Sequence, residues 1–264
     1  MKKLLLFLIV LLLGFAAGCG ENGKDKDVAG ASGKKIIRVG ATPDGFPTSY
    51  KEDGEMKGFS ADIIKAIIKE AGYEIEWVLT DWNGVLANLQ SGKIDTASNF
   101  AATAERGKDY QFTDPYYSSK AVIATAENNT TLKTIEDTNG KQIASIMGTN
   151  FENVLKEHYP DVEYELITYE SSDVVYTDVA SGKVEGFVFG REQIMAQISK
   201  KGLPLRIVAE PFGSQPVAMP FKKTKENDVL ISDLNQAAKA LKKNGRFSEI
   251  SMEYFGVDLL EDEE

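Results

Sequence analysis

The sequence predicts an α/β protein of two lobes facing one another across a cleft, and three observations carry that reading. Short β-branched runs alternate with amphipathic stretches of helical period, the order that builds parallel sheets flanked by helices. The alternation begins twice, at Ile36 and again at Lys141. The same helix stop recurs in both successions, as Ser91-Gly92-Lys93-Ile94-Asp95 and, 90 residues on, as Ser181-Gly182-Lys183-Val184-Glu185. Ser-Gly-Lys is a common way to end a helix, but its identical place in two βα successions points to a duplicated lobe. In open α/β sheets ligands sit beyond the carboxyl ends of the strands, so two lobes sharing that edge would enclose a binding cleft.

The chain opens with Lys2 and Lys3, continues as an almost unbroken apolar run from Leu4 to Phe15, and reaches Cys19 through the small residues Ala16, Ala17 and Gly18. An apolar core of about a dozen residues falls short of the ~20 a spanning helix needs, so residues 1–18 read as an export signal. A cysteine in this place resembles a bacterial lipobox, which implies acylation of the Cys19 thiol; Ala16 stands where leucine is usual. A plain secretory signal with a chance cysteine is the alternative. Residues 19–34 are rich in Gly, Lys and Asp and read as a flexible tether, with a root-mean-square reach of roughly 20 Å and a taut limit of roughly 50 Å.

The folded part follows in order. Ile36 to Ala41 is a β-branched strand. Ser60 is placed to cap a helix whose Ile63, Ile64, Ile67, Ile68 and Ala71 share a face and which Gly72 stops. A strand over 74–79, a helix over 82–90 and a strand over 96–100 complete the first succession. The second consists of strand 141–146, helix 150–157, strand 162–167, helix 172–180 and strand 185–189. Helices over 228–244 and 247–255 return to cover the first lobe.

Composition narrows the function. Without Lys2 and Lys3 the 30 basic side chains fall to 28 against 40 acidic ones, a formal net charge of −12. That balance argues against nucleic acid and against electrostatic adhesion to anionic lipid. Cys19 is the only cysteine and His158 the only histidine. The folded part therefore has no disulfide, no thiolate or multi-histidine metal site and no cysteine nucleophile. No metal or cofactor is expected, and the chain is expected to be a monomer.

The candidate cleft walls follow corresponding strands, Asn99 to Ala102 in one lobe and Gly190 to Glu192 in the other. Just past the first wall lies Arg106, whose planar guanidinium matches a carboxylate; a surface ion pair is the commoner fate of an arginine. Gly148-Thr149-Asn150 precedes a helix, where free N–H groups favour an anion or simply cap the helix. Trp82 and Phe46 could face the apolar part of a ligand or belong to the core.

Five stretches, Gly58-Phe59-Ser60-Ala61-Asp62-Ile63, Asp81-Trp82-Asn83-Gly84-Val85-Leu86, Ser91-Gly92-Lys93-Ile94-Asp95, Thr103-Ala104-Glu105-Arg106-Gly107-Lys108 and Gln111-Phe112-Thr113-Asp114-Pro115-Tyr116-Tyr117, carry a resemblance. Together they resemble the family 3 extracellular solute-binding proteins of polar amino-acid ABC importers, over about residues 36–255. The resemblance implies a type II periplasmic-binding-protein-like fold with two hinge strands, near 121–126 and 215–221. It implies lobe 1 over 35–122 and 218–260 and lobe 2 over 123–217. It further implies that Arg106 grips the ligand carboxylate, helped by backbone N–H groups of Asn99, Phe100 and Ala101 and by Gly148 and Thr149, while Trp82 stacks on the side chain.

Three departures qualify this. The stretch from Asp95 to Arg106 is one residue shorter than in glutamine- or histidine-binding members, and its Asn99 resembles the cystine-binding subgroup. The early loop, Gly45-Phe46-Pro47-Thr48-Ser49-Tyr50, lacks the usual Pro-Pro-Phe. Gly190 stands where members usually carry an aspartate that pairs with the ligand ammonium, followed by Arg191 and Glu192. Either Glu192 takes that role, or the ligand amine is substituted and Arg191 meets another acidic group or is merely solvated. The expected protein is a lipid-anchored, extracytoplasmic receptor that captures a small polar amino acid, cystine or a related sulfur amino acid, and docks on a membrane permease. A dehydratase on the same fold, a sensor, and a receptor for another polar or N-substituted amino acid are the alternatives.

Overall fold

A computed structural model describes residues 35–259; the signal segment, Cys19 and the tether over 19–34 lie outside the described residues. Strands are β1 (Ile36–Ala41), β2 (Asp44–Gly45), β3 (Ser49–Glu52), β4 (Glu55–Lys57), β5 (Glu74–Leu79), β6 (Thr96–Ala97), β7 (Phe100–Ala101), β8 (Tyr110–Phe112), β9 (Tyr117–Ala126), β10 (Gln142–Ile146), β11 (Glu165–Tyr169), β12 (Gly186–Gly190), β13 (Leu205–Ile207), β14 (Phe212–Ala218) and β15 (Pro220–Lys222). Helices are α1 (Phe59–Glu70), α2 (Trp82–Ser91), α3 (Phe151–His158), α4 (Ser172–Ala180), α5 (Arg191–Ser199), α6 (Lys225–Lys243) and α7 (Arg246–Phe255).

The two lobes repeat one plan. In the first, β1 lies between β5 and β6, all parallel; in the second, β10 lies between β11 and β12, again parallel. The echoed helix stops share their geometry. Gly92 and Gly182 both take left-handed backbone angles, φ 79° and 75°, where a side chain would be strained. Lys93 N–H donates to Asn88 O at 2.9 Å, and Lys183 N–H donates to Asp178 O at 2.9 Å.

Between the lobes run β9 and β14, paired antiparallel. β9 also pairs with β12 of the second lobe, and β14 with β7 of the first. These are the crossing strands, and the expected cuts at 122/123 and 217/218 fall within them. The apolar face of α1 packs Ile63, Ile64, Ile67 and Ile68 against β1, Leu234 and Leu241 of α6, and Phe247 and Ile250 of α7. The C-terminal helices thus cover the first lobe. Two further clusters lie on either side of the second sheet, around Phe187 and around Leu155 and Val188. Among the described residues no helix is long and apolar enough to cross a membrane.

Two local expectations are corrected. Ser60 does not cap α1: the cap position is Gly58 at φ 122°. Ser60 is buried at the second position of the helix, its hydroxyl bonded to Tyr116 Oη at 2.5 Å. The expected strand over 96–100 is broken in two by Asn99 at φ 53°, a left-handed conformation that asparagine tolerates better than most. The break lets β6 pair with β1 while β7 turns onto β14.

Candidate functional site

The carboxyl ends of β1, β6 and β10 and the crossing strands meet around a cavity of about 120 Å³. That is several times the ~10–15 Å³ needed to admit one water, so the space is more than a single-water void.

Arg106 bridges the lobes. Its Nη1 donates to Ala101 O at 3.0 Å and its Nη2 to Gly148 O at 2.9 Å, which uses two of five guanidinium donors. The guanidinium carbon lies 4.2 Å from the ring centre of Phe100 and 5.9 Å from that of Trp82. Burial lowers its pKa from 12.5 to about 10, so it stays cationic at neutral pH while lacking the hydration an exposed cation keeps. A half-buried guanidinium with donors to spare has the chemistry to receive an anion.

Asn99 is held from three sides. Its N–H donates to Ser60 Oγ at 3.1 Å and Tyr116 Oη at 3.0 Å, and its Oδ1 accepts from Tyr117 Oη. That backbone N–H is already committed within the protein. Trp82 opens α2, which Asp81 caps by accepting from Gly84 N–H at 2.7 Å, and its ring tilts against Phe100 at 5.8 Å. Thr149 donates its hydroxyl to Ile146 O at 2.8 Å. Asn150 stands at the start of α3 and donates to Gln215 Oε1 on β14 at 2.9 Å. Phe46 carries Lys201 Nζ 4.5 Å over its ring.

Of the residues singled out in the sequence, Phe46, Trp82, Asn99, Ala101, Arg106, Thr149 and Asn150 line the cavity. Phe100 is fully buried behind it, and Gly148 stands at its edge as the acceptor of Arg106. Gly190, Arg191 and Glu192 are not among the lining residues. Glu192 is 2% exposed, accepts from Ser119 Oγ at 2.9 Å and from Arg191 Nε at 3.2 Å, and burial raises its pKa. Arg191 is therefore spent on its neighbour. The second lobe presents Phe189 and Gln193 instead.

Sequence reasoning missed Gln193, Ser98 and the crossing-strand residues Tyr117, Ser119, Gln215 and Val217, all lining. The strand signal was available: 117 and 119, like 215 and 217, are alternate positions and share one face of each strand. His158, bonded to Val154 O at 3.0 Å, does not line the cavity. Among the described residues no group of His, Cys, Asp and Glu is placed to hold a metal ion.

Comparison with known proteins agrees with this geometry. The family model of bacterial extracellular solute-binding proteins, family 3, matches residues 37–257. The probable amino-acid-binding protein YxeM of Bacillus subtilis is 34% identical over 98% of this chain and 97% of its own. The L-cystine-binding protein TcyJ of Escherichia coli is 29% identical over 81% of this chain and 80% of its own. A solved ancestral arginine-binding protein bound to glutamine superposes with a TM-score of 0.75 at 28% identity, covering 84% of this chain and 98% of that one. With most of its length matched by the family model, this chain belongs to the family 3 bacterial extracellular solute-binding proteins.

Proposed function

We propose that the protein is the lipid-anchored substrate receptor of an amino-acid ABC importer, which captures a small polar amino acid between its lobes and delivers it to a membrane permease. The family is extracytoplasmic, and relatives across most of the chain are named as amino-acid-binding proteins. The single observation that carries the proposal is Arg106, a partly desolvated cation at the lobe junction with guanidinium donors to spare. It holds the ligand carboxylate; Trp82 and Phe46 contact the side chain, and Thr149 and Asn150 contribute from the second lobe. Cystine or a related sulfur amino acid is the favoured ligand, on the strength of the short loop at Asn99. Acylation of Cys19 and the tether over 19–34 keep the receptor beside its permease and raise its effective concentration there.

A ligand touching both lobes favours the closed arrangement by its differential affinity for it. Binding, not catalysis, is the function this reading favours, because the lining aspartates already accept hydrogen bonds from neighbours and no histidine lines the cavity. Asp81 caps a helix, Asp44 accepts from Ser171 Oγ at 3.2 Å, and the only histidine lies elsewhere. A thermal-shift screen of amino acids, cystine included, tests the proposal, since a ligand of the native state raises the melting temperature. A screen in which no carboxylate-bearing amino acid raises it would refute the proposal.

A further inference from the structure

Phe46 lines the interlobe cavity and also a more open groove outside it, together with Tyr50, Lys57 and Lys200. Its ring therefore stands between the ligand space and solvent. Within the first lobe the ring meets the edge of Tyr50, with ring centres 5.0 Å apart. The turn that carries it is closed by Thr48, whose N–H and hydroxyl both donate to Gly45 O at 2.9 Å.

Two contacts reach this loop from the second lobe. Ser171 Oγ donates to Asp44 at 3.2 Å, and Lys201 Nζ lies 4.5 Å from the centre of the Phe46 ring. An ammonium within about 6 Å of a ring face is attracted by its π electrons, more strongly as water is displaced. Lys201 is exposed, in the turn that follows α5, so burial in its own lobe does not hold the side chain there. Asp173 at the start of α4 corroborates its place: burial raises that carboxyl, Asp44 raises it further and Lys201 draws it down. The ammonium thus sits where the Phe46 ring and the acids of both lobes converge.

We propose that Lys201 is a positioning residue for ligand retention, its ammonium pinning the Phe46 ring between cavity and solvent once the lobes meet. This inference rests on the reading of the cavity as an amino-acid site and adds how that site keeps what it has captured. A contact between lobes is absent while they stand apart, so it leaves the encounter step alone and acts on release. At the strength of a half-exposed cation–π pair, its loss corresponds to about a two- to fivefold change in rate.

Stopped-flow association and release of cystine, methionine, glutamine and arginine test it, followed by tryptophan fluorescence because Trp82 lines the cavity. For whichever of the four binds the native chain, Lys201→Met is expected to speed release about two- to fivefold and to leave the association rate within about 1.5-fold. Lys201→Arg keeps a cation over the ring and is expected to release at the native rate. Adding Lys201→Met to Phe46→Leu is expected to change release by less than about 1.5-fold, because a double-mutant cycle isolates the pair. Native release from Lys201→Met, or the same acceleration without the ring, would overturn the inference and leave the receptor reading standing. Binding of none of the four to the native chain would overturn both. Should Phe46→Leu bind too weakly to follow, the contrast between Lys201→Met and Lys201→Arg decides.

Discussion

Replacing Arg106 with methionine separates its role in binding from its role in folding, because the two effects differ in size for a structural reason. In the free protein the guanidinium donates to Ala101 O at 3.0 Å and Gly148 O at 2.9 Å, and bonds from a charged donor are worth about 1.5–3 kcal/mol each. The bond to Gly148 is exposed and exists only while the lobes touch, so its share is at the low end. Against these gains, burial lowers the pKa from 12.5 to about 10, a penalty of about 3 kcal/mol that a neutral side chain removes. Methionine also keeps apolar contact with Phe100. The net change in folding stability is expected to stay within about 2 kcal/mol, a melting shift of at most about 8 °C for a chain this size. Binding is another matter, since deleting one partner of a desolvated charge pair costs about 2–5 kcal/mol, an affinity loss of about 30- to 5,000-fold. Thermal denaturation and calorimetric titration with whichever amino-acid probe most stabilises the native protein measure both. A folded Arg106→Met variant binding within about threefold of native would refute the assignment of Arg106.

Three further outcomes are expected. Gly148→Ala places a Cβ 2.8 Å from Leu86 Cδ1 at a residue with φ 77°. The left-handed strain of about 1–2 kcal/mol acts in both arrangements, but the clash acts only when the lobes meet; an unchanged small-angle scattering radius would contradict this. Trp82→Phe keeps a ring beside Phe100 and removes an indole N–H that is buried without a partner, so the melting temperature should hold or rise; a clear fall in thermal denaturation would contradict this. Burial raises the Glu192 carboxyl above its ordinary value of 4.5, so the stability it contributes is complete below that value and is lost as pH rises through the folded-state value. Glu192→Gln should flatten this dependence, and denaturation curves that shift with pH in parallel for both proteins would disprove it.

The lobes were legible in the sequence because their signals are local. Isoleucines at helical spacing, a glycine after each helix and β-branched runs place α1, α2, β1, β5 and β10 within a residue or two of where they lie. Local reasoning failed where a distant partner decides. Ser60 looks like a cap in sequence, yet it is drawn into the core by Tyr116 and Asn99. The strand through Asn99 looks continuous, yet two different sheets claim its halves. The short strands β2, β3 and β4 pair only with one another and offer too little alternation to be seen. In the site, Arg106, Trp82 and Thr149 were legible because each sits at an element boundary with a chemical reason to be there. Gln193 was not: it lies three residues past the strand end, and only the glycine at 190 leaves room for its amide.

The contacts between the lobes set how far a ligand must act. Arg106 reaches Gly148 O at 2.9 Å, Ser171 reaches Asp44 at 3.2 Å, and Asn83 Nδ2 approaches Met147 Sδ at 3.6 Å. Half-exposed bonds of this kind contribute about 1.5 kcal/mol or less each, so together they bias closure without enforcing it. Turning a mostly open population into a mostly closed one takes about 5.5 kcal/mol of differential affinity. A carboxylate on Arg106 helps supply it, because that guanidinium already spans both lobes and the added anion strengthens a cation whose hydration closure has removed. On the proposed reading, the side chain that would recognise the ligand is also the one through which the ligand would draw the lobes together, since Arg106 donates to Ala101 and to Gly148.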